Sequence, residues 1–198
     1  MPPKANTRHR PNTVRIIGGT WRGRLLKFPS AETLRPTPDR VRETLFNWLG
    51  QDLTGLRCLD LIAGSGVLGL EALSRGASSV TFVERSRHTS RALADSAKQL
   101  GAVDYKLFCC DAIEFLRRTR EQQGDADGSA LFDVIFLDPP YGEGLIEKVL
   151  PSLGPVASPA ALIYFEADGA ITAMADWTIL KAAKAGMVHY GLAQRDGT

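Results

Sequence analysis

The sequence predicts an α/β fold of Rossmann-like type. Its sheet should be mostly parallel, closed by an antiparallel C-terminal hairpin and preceded by a small N-terminal β-hairpin extension. Three observations carry that prediction. From residue 56 onward, short apolar runs alternate with helix-like stretches of about 10–15 residues, the pattern of βαβ units. Gly64, Gly66 and Gly69 stand in G-x-G-x-x-G spacing directly after the first of those runs. Finally, four successive runs end at or just before a carboxylate, namely Asp60, Glu84, Asp111 and Asp138.

Taken in order, "VRII" and "RLLKF" flank the glycine-rich "GGTWRG", which reads as a hairpin. "PTPDRVRETLFNWLG" (36–50) opens on Pro38-Asp39 and closes on Gly50, as an amphipathic helix does, with Val41, Leu45, Phe46, Trp48 and Leu49 facing the core. "LRCLDL" (56–61) is a strand and "GVLGLEALSRGA" (66–77) a helix stopping at Gly76. "SVTFVE" (79–84) is β-branched and apolar, and "SRHTSRALADSAKQLG" (86–101) is a helix ending at Gly101. "YKLFCC" (105–110) is a strand, and "DAIEFLRRTR" (111–120) a helix with an acidic start and a basic end. "LFDVIFLD" (131–138) is a strand, "GLIEKVLPSL" (144–153) a helix and "ALIYFEA" (161–167) a strand. "WTILKAAKAGMVHYGLA" (177–193) reads as two strands turning near Gly186.

At 198 residues and 44% hydrophobic content, the chain can bury one sizeable core. The expected division is a flexible basic tail over 1–12, a hairpin-and-helix extension over 13–50 and a catalytic domain over 51–198. No apolar run is long enough to span a bilayer, and the start lacks the apolar stretch of a signal peptide. The three cysteines, Cys58, Cys109 and Cys110, form no CxxC pair, which argues against a zinc site or a disulfide framework and for a cytoplasmic protein. All three lie in apolar runs, so burial is expected. Net charge is +2, but residues 1–42 carry +8 and the rest −6, which points to a polyanionic partner at the N-terminal side.

Open α/β sheets bind ligands outside the carboxyl ends of their strands, where the four carboxylates stand. The glycine loop offers free N–H groups at a helix N-terminus, and Glu84, twenty residues after Gly64, suits a ribose. That calls for an adenosine-type cofactor. A pyrophosphate would be repelled by Asp60 and the neighbouring acids, whereas a cationic sulfonium would be attracted. S-adenosylmethionine is therefore favoured, with Asp111 near the adenine amine. The fourth run ends in "DPPY", where Pro139 and Pro140 stiffen the backbone after Asp138 and Tyr141 offers a flat face. A stiff acceptor beside an aromatic platform is what methylation of an unstacked base amine requires.

In "RIIGGTWRGR" (15–24), "LRPTPDRVRETLFNWL" (34–49), "CLDLIAGSGVLGLEALSRGA" (58–77) and "DVIFLDPPY" (133–141) the chain resembles the RsmD family, bacterial methyltransferases of the guanine exocyclic amine (N2) in small-subunit ribosomal RNA. Ile62 departs from the phenylalanine usual there. The resemblance implies the Rossmann-like fold of S-adenosylmethionine-dependent methyltransferases. It implies a cofactor held by Asp60, Ala63, Gly64, Gly66, Glu84 and Asp111, and a target base met by Asp138, Pro139 and Tyr141. It also implies RNA contacts from Arg15, Arg22, Arg24, Arg35, Arg40 and Arg42. The expected partner is ribosomal RNA or the small subunit; neither metal nor membrane is called for, and no oligomer is implied. The competing expectations are a methyltransferase of DNA adenine or protein glutamine, an NAD(P)-dependent oxidoreductase, and an RNA-binding module without activity. The oxidoreductase is disfavoured because His9, His88 and His189 are not placed to donate a proton to substrate.

Overall fold

The computed structural model describes residues 12–28, 37–123, 132–140, 142 and 144–196. A two-stranded hairpin pairs β1 (Asn12–Arg15) with β2 (Leu25–Phe28), and α1 (Asp39–Leu49) follows. The body alternates β3 (Arg57–Asp60), α2 (Val67–Ser74), β4 (Ser79–Val83), α3 (Arg87–Leu100), β5 (Tyr105–Phe108), α4 (Ala112–Gln123), β6 (Phe132–Leu137), α5 (Leu145–Val149) and β7 (Ala157–Ala167). The strands β8 (Trp177–Ala185) and β9 (Val188–Arg195) close it, turning at Gly186 with φ 63°. Among the described residues no helix is long and apolar enough to cross a membrane.

Seven strands form the main sheet in the order β5-β4-β3-β6-β7-β9-β8. The first five run parallel, and β9 enters antiparallel between β7 and β8. The chain starts in the middle at β3, moves outward through β4 and β5, then returns to lay β6 on the other side. The switch point therefore falls between β3 and β6, where the ligand crevice of a doubly wound sheet belongs.

Side chains alternate along each strand, which splits the core in two. Cys58, Val80, Phe82, Val134, Phe136 and Tyr164 point to the face covered by α1, α2, α3 and the N-terminal hairpin. Leu59, Val83, Ile135, Leu137, Ile163 and Phe165 point to the face covered by α4 and α5. Asp60, Glu84, Asp138 and Glu166 share the parity of Cys58, Phe82, Phe136 and Tyr164, so all four belong to the first face.

Several expectations need correction. The helix expected over 144–153 spans one regular turn, and Pro151, which has no N–H to donate, leaves the rest as two short 3₁₀ turns. Strand β7 begins four residues before the expected Ala161, and a register irregularity lies between Phe132 and Val134 on its partner β6. On α1 the buried residues are Val41, Arg42, Leu45 and Phe46, while Trp48 and Leu49 pack only partly buried against the core. Cys58 is buried, but Cys109 is exposed and Cys110 intermediate, because β5 is an edge strand.

Candidate active site

The glycine loop is shaped by two acids and one close approach. Asp60 ends β3, is 2% exposed, and its Oδ2 accepts from the Gly69 N–H at 3.0 Å, which ties the first turn of α2 to the strand. Glu84 follows β4 and closes the loop from the other side. Its Oε2 accepts from Gly64 N–H at 2.9 Å and its Oε1 from Ser86 N–H at 2.6 Å. Ala63 N–H donates to the Val83 carbonyl at 2.9 Å, so the loop hangs on the end of β4. Gly66 has φ 73°, and a Cβ there would run into Leu93 Cδ1. A Cβ on Gly69 would strike Phe82, so the third glycine serves helix–strand packing.

The register puts the remaining acids beside these. Phe82 and Phe136 both pair with Asp60, so Glu84 and Asp138 stand two residues further along the flanking strands. Those strands are about 9–10 Å apart at the usual spacing. Continuing the pairing of Leu137 with Phe165 by one residue sets Glu166 opposite Asp138. Glu166 is 2% exposed and accepts from the Tyr164 hydroxyl at 2.7 Å.

These carboxylates feel one another. Burial first, then the Glu84 charge, pushes Asp60 up to about 7 against the pull of the Gly69 N–H. Burial also raises Glu84, opposed by its bonds from Ser86 and Gly64. Asp138 is raised well above the carboxylate range by burial, then by the charges of Glu166 and Asp60, with the Thr37 hydroxyl opposing. An anionic cluster at the switch point, each member holding its proton more tightly than in water, is a donor set suited to a cation. It fits the sulfonium and ammonium of S-adenosylmethionine and is hostile to a pyrophosphate.

The other residues singled out by the sequence fall in three groups. Pro139 is buried directly after Asp138. Asp111 is exposed, three residues past β5, and its Oδ1 accepts from Ile113 N–H at 2.8 Å at the start of α4, so it is the member of the rim set furthest from its strand end. Tyr141 and Arg35 lie outside the described residues. Arg15, Arg22, Arg24 and Arg40 are exposed; Arg15 pairs with Asp39 at 2.9 Å, and Arg24 Nη2 donates to the Gln99 carbonyl at 2.9 Å. Arg42 is the correction. It is fully buried, with Nη1 on Glu71 Oε1 and Nη2 on Asp39 Oδ1, both at 2.5 Å, and so is withdrawn from any RNA face. Its place on the helix is that of a core residue, one turn from Phe46.

Three functional candidates escaped the sequence reading: Thr37, Glu71 and Glu166. Glu166 was signalled, since "ALIYFEA" is a fifth strand with an acid at its carboxyl end. Glu71 was signalled as a lone charge in the otherwise apolar "GVLGLEALS". An open groove of about 380 Å³ between β2 and α3, lined by Lys27, Phe28, His88 and Gln99 among others, contains none of the rim residues.

The fold and the acidic switch point define an S-adenosylmethionine-dependent methyltransferase fold. The model of the family described as Conserved hypothetical protein 95 matches residues 14–194, and the chain belongs to that family. The resemblance to the RsmD family read from its motifs is borne out. The chain is 42% identical over 189 residues to "Ribosomal RNA small subunit methyltransferase D" of Escherichia coli (strain K12), covering 92% of this chain and 90% of that one. It is 40% identical over 197 residues to the protein of the same name from Haemophilus influenzae, covering 96% and 98%. The solved structure of yhhF from Escherichia coli superposes with a TM-score of 0.80 at 40% identity, covering 94% of this chain and all of that one. The fold recurs, as fold alone, in SMU.776 solved in complex with SAH, at 14% identity and a TM-score of 0.66.

Proposed function

We propose that the protein transfers a methyl group from S-adenosylmethionine to the exocyclic N2 amine of a guanine in small-subunit ribosomal RNA. The single observation that carries the chemistry is the set of four carboxylates, Asp60, Glu84, Asp138 and Glu166, on one sheet face at the switch point, with Asp138 followed by two prolines. The substrate class rests on the names of the relatives. Asp60, Ala63, Gly64, Gly66 and Glu84 would hold the cofactor, with Asp111 at the outer end. Bound there, S-adenosylmethionine supplies an electrophilic methyl group on a cationic sulfur.

This chain's own residues then act on the amine. A guanine amine is a poor nucleophile because its lone pair is delocalised into the ring. In its charged form Asp138, held by the stiff Pro139-Pro140 backbone, would accept one amine N–H and favour the pyramidal nitrogen that attacks; it would also offset the positive charge developing there. As the amine nitrogen takes up the methyl group, the proton it loses would pass to the Asp138 carboxylate or to water. Tyr141 follows as the stacking platform. Residues 13–50, with exposed Arg15, Arg22, Arg24 and Arg40, would face the RNA, and residues 51–198 would form the catalytic part. Ribosomal RNA as partner puts the work in the cytoplasm.

Methyl-labelled S-adenosylmethionine is offered with small-subunit rRNA, assembled small subunits, DNA and release factor in parallel. Label should enter the rRNA or the subunit and appear as N2-methylguanosine after digestion. Label in DNA or release factor, or in none of them, would overturn the proposal.

A further inference from the structure

Thr37 is 2% exposed although it carries a hydroxyl, and it lies just before α1, which packs on the first face of the sheet. Its Oγ1 donates to Asp138 Oδ2 at 2.9 Å across 101 residues of sequence, and it also lies within hydrogen-bonding reach of Glu166. Its carbonyl accepts from Arg42 Nε at 3.0 Å. Arg42 in turn is seated on Glu71, which accepts from Ile17 N–H at 2.6 Å and Gly18 N–H at 3.3 Å in the N-terminal hairpin loop. A continuous buried chain therefore runs from that loop through Glu71, Arg42 and Thr37 to Asp138.

We infer that Thr37 is a positioning residue for Asp138, aimed by Arg42, which Glu71 holds in place. A segment needing only to pack on the sheet would be served by an apolar side chain; here a charged arginine and a glutamate are buried to fix one threonine. The inference rests on Asp138 being the group that meets the target amine. The hydrogen accounting supports it. One hydroxyl has one proton, so Thr37 can donate to Asp138 or to Glu166 but not to both. The geometry gives that proton to Asp138, at 2.9 Å. The groups facing Asp138 are Asp60 from β3, Glu166 and Tyr164 from β7, and Thr37 from the segment before α1. Among them the Thr37 hydroxyl is the group whose bond favours the charged form of Asp138.

The test compares Thr37→Val, which keeps the shape and loses the hydroxyl, with Thr37→Ser, which keeps the hydroxyl. The first readout needs no activity: the carboxyl of Asp138 is titrated by carbon-13 NMR in the free protein. In Thr37→Val it should titrate about one unit higher, the size of one lost hydrogen bond to the charged form, and in Thr37→Ser close to wild type. The second readout is the pH–rate profile. The acid limb should move the same way in Thr37→Val, with kcat at neutral pH down about tenfold and the KM for RNA held within about twofold. Arg42→Lys, which cannot reach Thr37 and Glu71 together, should show the same shift. An unmoved Asp138 titration in Thr37→Val, or Thr37→Ser as impaired as Thr37→Val, overturns the inference. A wild-type protein inactive on every RNA overturns the proposed reaction instead, and the NMR titration still decides for or against Thr37.

Discussion

Glu71→Gln is the sharpest structural perturbation available, because this one carboxylate accepts three hydrogen bonds and also pairs with Arg75. Oε1 takes Arg42 Nη1 at 2.5 Å and Ile17 N–H at 2.6 Å; Oε2 takes Gly18 N–H at 3.3 Å and lies 3.4 Å from Arg75 Nε. The glutamate and Arg42 side chains are fully buried and that of Arg75 is 6% exposed. Burial raises the Glu71 carboxyl above its ordinary value even though the Ile17 N–H and the two arginines pull it down. The ion cluster is thus no net reservoir of stability. The loss on substitution comes from what is stranded: the amide of glutamine presents its own N–H groups to donors, and two enclosed guanidiniums share one fewer negative charge. Removing one partner of a buried pair costs about 3–5 kcal/mol. At about 2–4 °C per kcal/mol for a chain of this size, the melting temperature should fall by roughly 6–20 °C. Urea denaturation followed by tryptophan fluorescence measures the free energy, and circular dichroism the melt. Glu114→Gln is the control. Glu114 also meets two arginines, Arg118 at 2.6 Å and Arg117 at 3.3 Å, but in solvent on α4, so its urea midpoint should not move measurably. If the two variants behave alike, or Glu71→Gln costs less than about 1 kcal/mol, the docking of the hairpin and α1 through Glu71 is wrong.

The other expectations concern the site. Asp138→Ala should lower kcat by roughly 10²–10³ while the dissociation constant for S-adenosylmethionine, read by calorimetry, stays within a few-fold. Asp60, raised to about 7, binds a proton in the folded protein that the unfolded chain has already lost, so its contribution to stability declines as pH rises from about 4 to 7. A cation favours the ionised form; binding of S-adenosylmethionine should therefore tighten between pH 6 and 8 with proton release, detected by calorimetry in two buffers of different ionisation enthalpy, and Asp60→Asn should abolish the trend. Glu166→Gln removes a charge that raises Asp138, so the acid limb of the pH–rate profile should move to lower pH, opposite to Thr37→Val. Arg22→Ala and Arg40→Ala should each flatten the dependence of log affinity for RNA on log salt by about 0.7–0.9, as expected for the loss of one phosphate contact.

The acidic rim was legible because strand-end carboxylates follow from topology alone. Once βαβ order is read, right-handed parallel connections bring Asp60, Glu84 and Asp138 to one edge, whatever the details of packing. The glycine loop was legible because the left-handed backbone at Gly66, φ 73°, is a local demand of the strand-to-helix turn, whereas the contact of Leu93 from α3 is not. Arg42 was not legible, since a solvent-facing arginine and a buried one look the same in a helix of mixed composition; only the lone acid in α2 showed that a buried cation was needed somewhere. The interruption at Pro151 was visible in principle, but the apolar spacing around it outweighed it.

Those two kinds of residue meet at one place, and their meeting explains the uneven charge of the chain. The basic first fifth is not uniformly a surface for polyanions. Arg15, Arg22, Arg24 and Arg40 are exposed, whereas Arg42 turns inward and is neutralised by Glu71 and Asp39. A cation sent into the core beside the acidic rim also holds the Thr37 carbonyl, and through Thr37 it reaches the carboxylate proposed to meet the base. The same N-terminal segment thus offers charge to solvent on one side and a hydrogen bond to Asp138 on the other. Seating of the glycine-rich loop on Glu71 and the aim of Asp138 therefore belong to a single buried network, so loss of the loop should reach the site through Arg42 even where RNA is absent.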